Sequence, residues 1–181
     1  TPFRQDKKRI DGKIIFNYKL GDAQAAGYYR QINLMTIEEY GDDVARDAAI
    51  ATAAIAALRR DRAAGLDHLL MARTKSKARA DDVWALYSRL APDLTPLVVY
   101  SGPGQALANR TALQALIDRD GSGSFIIVCV DMLGEGFDLP NHKIAAPHDT
   151  HKSLAITLQF IGRFTRTGAV GEIGEATVVT N

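Results

Sequence analysis

The chain has 181 residues, 46% hydrophobic and 24% charged, a balance that permits one sizeable core and argues against a disordered chain. Its formal net charge is +1, so global charge draws no polyanion and such a partner must be met by a local basic patch. The lone cysteine, Cys129, excludes an intrachain disulfide, and no apolar stretch approaches the ~18 residues of a membrane span.

Thr1-Pro2-Phe3-Arg4 opens the sequence with neither an initiator Met nor an apolar signal segment, which fits a cytoplasmic protein and equally an excised domain. Residues 1–40 read as a leader, with Ile14-Ile15-Phe16 and Ile32-Asn33-Leu34-Met35 as extended segments. Residues 41–181 read as one α/β domain. Asp42 and Asp43 are N-cap candidates for a long alanine-rich helix whose apolar face is expected to be Val44, Ala48, Ala51, Ile55 and Leu58, with Gly65 as terminator. Strands and helices then alternate. Strands are predicted over 68–72, 97–100, 125–130, 143–146 and 176–179. The intervening helices are one carrying Ala80, Val83, Trp84, Tyr87 and Leu90 on one side, one over 105–117, and one over 151–162 with Leu154, Leu158 and Ile161 inward. That alternation implies a mostly parallel sheet flanked by helices, with the chemistry in the loops after the strands. Cys129, inside the apolar run 125–130, reads as a small core hydrophobe.

Two of those loops hold informative residues. After the most apolar strand comes Asp131-Met132-Leu133-Gly134-Glu135-Gly136-Phe137-Asp138-Leu139-Pro140. Gly136 would let a ligand approach the backbone, and Asp138 is an acceptor suited to a ribose hydroxyl. Later comes Gln159-Phe160-Ile161-Gly162-Arg163-Phe164-Thr165-Arg166. On a continuing helix Gln159, Arg163 and Arg166 share a face, and two guanidiniums beside Gly162 can clamp phosphate oxygens. Taken singly, the first can also be a plain glycine turn, the lesser of its two readings, and the second reads equally as a basic helix end that complements the helix dipole. Arg73-Thr74-Lys75-Ser76-Lys77-Ala78-Arg79 concentrates four basic residues where a helix opens. Thr74, Lys75 and Lys77 could meet a nucleic-acid backbone there, or the run is simply a solvated face. Ser101-Gly102 follows the next strand and is either a phosphate approach or part of a tight turn with Pro103-Gly104.

In this order and spacing, the two loops resemble motifs V and VI of superfamily 2 helicases and translocases. The form Gly-Glu-Gly-Phe-Asp and the opening Gln-Phe are most similar to the bacterial group that includes restriction-enzyme translocating subunits. The basic run resembles motif IV, and Thr1-Pro2-Phe3-Arg4 resembles the tail of motif III, where the chain leaves the first lobe. The resemblance implies a C-terminal RecA-like lobe of an ATP-dependent helicase. Arg163 and Arg166 would be arginine fingers and Gln159 a sensor of nucleotide state. Gly136, Asp138 and Gly162 would line the nucleotide side, and Thr74, Lys75, Lys77, Ser101 and Gly102 the strand track. It further implies ATP and Mg²⁺ bound mainly by an N-terminal lobe of the same protein, and a nucleic-acid partner, DNA rather than RNA. Phe160 stands where many relatives have Arg, and Val130 where RNA-unwinding relatives have Thr.

The sequence holds no phosphate loop of its own: Gly12-Lys13 is followed by Ile14, and Gly102-Pro103-Gly104 has no following Lys-Ser/Thr. Gly168, Gly171 and Gly174 do not form a dinucleotide fingerprint. His148 and His151 are three apart but have no further metal-ligand candidates beside them, so no metal site is expected. The alternative to a catalytic half is a non-catalytic nucleic-acid-binding or interaction module with the same fold.

Overall fold

Asp42 caps the first long helix, α1 (Asp43–Ala63), by accepting from the Ala45 amide at 2.9 Å. Asp43 in its first turn and Arg60 and Arg62 in its last complement the helix dipole. The helix ends where Gly65 adopts φ +82° and its amide closes on the Arg62 carbonyl. The computed structural model describes residues 32–100, 124–130, 141–149 and 174–181, with Asp22, Ala25, Ala26, Thr111, Gln114 and Phe164 as single positions. The extended segment expected at 14–16 and the helix expected over 151–162 lie outside these residues, as does most of the helix expected over 105–117, of which Thr111 and Gln114 are helical.

The described strands are β1 (Ile32–Thr36), β2 (Leu69–Thr74), β3 (Leu97–Val99), β4 (Ile126–Val130), β5 (His142–Pro147) and β6 (Ala176–Thr180). They form one six-stranded sheet in the order β1-β6-β5-β2-β4-β3, and every pairing is parallel. The second helix, α2 (Lys77–Leu90), follows β2. Strand β1 comes from the segment read as a leader, and it pairs with β6 through the register Ile32↔Ala176 to Thr36↔Thr180. The sheet therefore begins upstream of position 41.

The two-residue period of a strand explains why the central strands are apolar throughout. Leu70, Ala72, Ile126 and Val128 face one side, where they meet Ile50, Ala54, Ile55 and Leu58 of α1 and Ala80, Val83 and Tyr87 of α2. Leu69, Met71, Ile127 and Cys129 face the other side, packed with Phe164. Cys129 is fully buried there, as its run suggested. Each large aliphatic side chain so buried contributes about 1.5–3 kcal/mol.

The helix faces differ from expectation at their edges. In α1 the buried stripe runs Asp47, Ile50, Ala51, Ala54, Ile55, Leu58 and Asp61, while Val44 is 74% exposed in the first turn, before the stripe begins. In α2, Ala80, Val83 and Tyr87 are buried, but Trp84 and Leu90 lie partly in solvent on the flank. Trp84 satisfies its indole N–H on the Pro96 carbonyl at 2.9 Å.

Candidate nucleic-acid interface

An all-parallel sheet sends every strand's carboxyl end to the same edge. From β2 the chain moves through β3 and β4 on one side, then crosses to β5 and β6 on the other. The carboxyl ends of β2 and β5 thus flank a topological switch point, where open α/β sheets form binding crevices. A cleft of about 250 Å³ lies there, lined among others by Asp43, Arg46, Lys75, Arg79, His148 and Asp149.

Asp47 organises the cleft from α1. Arg79 grips it with its two terminal guanidinium nitrogens, at 2.7 and 3.0 Å. His148, just past β5, places Nδ1 at 2.9 Å from the same carboxylate. Asp47 is ionised and accepts only, so Nδ1 carries the proton and Nε2 faces the Tyr87 hydroxyl at 3.1 Å. Burial pushes the Asp47 carboxyl up, but hydrogen bonds and charge from His148 and Arg79 outweigh it and bring the pKa down to about 2. The bond to Asp47 holds the Arg79 guanidinium firmly protonated despite its burial. Burial, then the Asp47 charge, pushes the Tyr87 phenol well above its ordinary range, so it stays a donor.

Asp149 extends the network outward. It accepts from the Lys75 amide at 2.9 Å and lies 3.5 Å from both the Lys75 ammonium and the Arg79 Nε. The Lys75 side chain remains 67% exposed. Ser76 caps α2 by accepting from the Arg79 amide at 3.3 Å. The first turn contains no acid and two bases, Lys77 and Arg79, against the preference of a helix N-terminus. Lys77 is exposed, with its ammonium 4.7 Å from the centre of the Tyr100 ring. Burial and a hydrogen bond to Asp81 push the Tyr100 phenol up to about 12.

Of the residues expected to track a strand, Lys75 and Lys77 stand exposed on this edge. Thr74 does not. It is buried, and its hydroxyl shares its one proton between the carbonyls of Cys129 and Ser76, each 3.3 Å away. Ser101, Gly102, Gly136, Asp138, Gln159, Gly162, Arg163 and Arg166 lie outside the described residues. His148 is committed to Asp47 and Tyr87, and no group of three metal-ligating side chains occurs among the described residues. Asp47 was missed as a site residue, although an acid on a helix's apolar stripe is a legible signal that a partner waits for it. No helix of the described residues is long and apolar enough to cross a membrane.

No family model and no curated protein matches the sequence. Solved structures do match. A fragment assigned to an HsdR subunit of a type I restriction enzyme from Vibrio vulnificus YJ016 is 18% identical over 99% of this chain and 38% of its own, with a TM-score of 0.71. The ATP-dependent type ISP restriction-modification enzyme LlaBIII, bound to DNA, is 17% identical over 97% of this chain and 13% of its own, with a TM-score of 0.59. Domain 2 of the DEAD-box helicase Mss116p, bound to an RNA duplex, is 18% identical over 83% of this chain and 54% of its own, with a TM-score of 0.55. The chain thus spans 38%, 13% and 54% of these proteins' lengths. With its parallel sheet and flanking helices, the chain shares its RecA-like α/β fold with these restriction-enzyme and helicase structures.

Proposed function

We propose that this chain is the second lobe of an ATP-dependent nucleic-acid translocase or helicase. The observation that carries the reading is the exposed pair Lys75 and Lys77 at the switch-point edge of a fold shared with restriction-enzyme and helicase domains. Lysines in and beside the first turn of α2 run against the helix dipole, a local cost of a few tenths of a kcal/mol each that a bound phosphate reverses. Arg163 and Arg166 would reach the γ-phosphate of ATP held with Mg²⁺ by the other lobe, Gln159 would report nucleotide state, and Gly136, Asp138 and Gly162 would line the nucleotide side. ATP is the substrate, and a finger supplied across a cleft suffices because phosphoryl transfer depends on positioning and charge neutralisation. The track is taken as DNA, in keeping with the group that motifs V and VI resemble.

Two outcomes follow. The chain alone is expected to release no phosphate from ATP above the buffer blank, with or without single- or double-stranded DNA. DNA-stimulated turnover by this chain would exclude the half-site reading. In the two-lobe protein, Lys75→Ala/Lys77→Ala is expected to weaken binding about equally for two unrelated oligonucleotides. The slope of log affinity on log salt should flatten by roughly one to two, since each lost phosphate contact removes about 0.9 on duplex and 0.7 on single strands. Fluorescence anisotropy over a salt series measures both. Unchanged affinity and slope would make the basic run a solvated helix face.

A further inference from the structure

Lys143, the second residue of β5, is fully buried, and its ammonium donates to the backbone carbonyl of Phe164 at 2.8 Å. Phe164 is itself fully buried on the sheet face opposite α1 and α2, with its ring edge-on to His142 at 6.5 Å. Taking an ammonium out of water costs several kcal/mol before partners offset it, and a well-packed apolar side chain of similar volume is often at least as stable. The next residues of the strand, Ile144, Ala145 and Ala146, are the apolar kind that would suit the place. What the ammonium adds is direction. Apolar contacts tolerate sliding, whereas a charge-assisted hydrogen bond weakens steeply as distance and angle depart from their optimum. The bond pins the backbone at Phe164, the residue after Arg163 and two before Arg166.

We propose that Lys143 is a positioning residue that fixes the backbone at Phe164, directly bonded to Arg163 and two residues before Arg166, an inference that rests on the proposed role of these arginines as fingers. Lys143 acts through the Phe164 carbonyl, so its loss misplaces the arginines without removing them.

The test uses the two-lobe protein with saturating nucleic acid. Lys143→Met keeps the apolar stem and removes the donor. It is expected to lower kcat about 10²-fold, the cost of an ångström-scale misplacement of a catalytic group. KM for ATP should stay within about twofold, because ground-state binding belongs mostly to the other lobe. Arg163→Ala alone should lose more, and Lys143→Met/Arg163→Ala should be no slower than Arg163→Ala, since both changes remove one effect. Normal kcat in Lys143→Met beside a collapsed Arg163→Ala overturns the positioning role and leaves the fingers standing. Losses that multiply in the double variant also overturn it, because Lys143 would then act elsewhere. Normal turnover in Arg163→Ala overturns the finger reading and this inference with it. If Lys143→Met does not fold by circular dichroism, Lys143→Gln, whose shorter amide stops short of the carbonyl, is read against the same outcomes.

Discussion

Arg163→Ala in the two-lobe protein is expected to reduce ATP turnover about 10³-fold or more, the range for a finger that stabilises a transferring phosphoryl group. The charge such a finger would meet develops as the bond to the γ-phosphorus breaks, so the loss is expected in kcat, with ATP affinity changing far less. Arg166→Ala should show the same split with a smaller loss. Steady-state phosphate release gives kcat, and a fluorescent nucleotide titration gives affinity. If both variants stay folded and hydrolyse normally, Arg163 and Arg166 have another purpose and the resemblance to motif VI has misled.

The second large effect concerns stability. Asp47→Asn keeps the shape of the side chain but removes the charge that Arg79 and His148 share. Breaking a buried ion pair costs about 3–5 kcal/mol when the remaining charge has no other partner. Arg79 keeps Asp149 at 3.5 Å and is 22% exposed, so the expected destabilisation falls toward about 2–3 kcal/mol. Urea unfolding midpoints of this chain measure it. The wild type carries a matching acid signature. Because the folded carboxyl titrates near about 2, below the ~3.9 of an unfolded aspartate, the network contributes fully above that unfolded value. Its contribution is lost as pH falls from there through the folded value. The Asn variant should lack this part of the acid profile. Midpoints that agree between the two proteins at pH 7, or an acid limb that survives unchanged in Asp47→Asn, would show that the network is incidental.

The elements that were legible are those whose cause is local. Asp42 caps α1 as its place before an apolar period suggested, and Gly65 supplies the left-handed turn that ends it. The apolar runs at β2, β4 and β5 announced strands, and each lies within two residues of its expected bounds. Other features depend on residues far apart. Nothing near Leu34 in sequence says that β1 joins the sheet, because its partner is β6. Asp47 acquires its meaning from Arg79 and from His148, which a linear reading weighed only as a metal ligand. Thr74 illustrates the limit of residue type as a guide. A hydroxyl at a strand end suits phosphate, yet here it faces inward and settles on a neighbouring strand's carbonyl.

The pairing of β1 with β6 has a consequence for how the lobe is made. Contacts across this edge join residues 142 apart in sequence, such as Asn33 with Glu175 and Glu39 with Asn181. Closing so long a loop costs entropy that is repaid only when the last ladder forms, which slows folding of sheets dominated by distant partners. A ribosome-bound chain has β1 outside the exit tunnel long before β6 exists to receive it. During that interval Leu34, which stays 65% exposed even in the finished fold, belongs to an extended strand with both edges unpaired. Such an edge is a template for a second nascent chain or a chaperone. Slower synthesis should therefore lengthen the interval in which this edge waits for its partner.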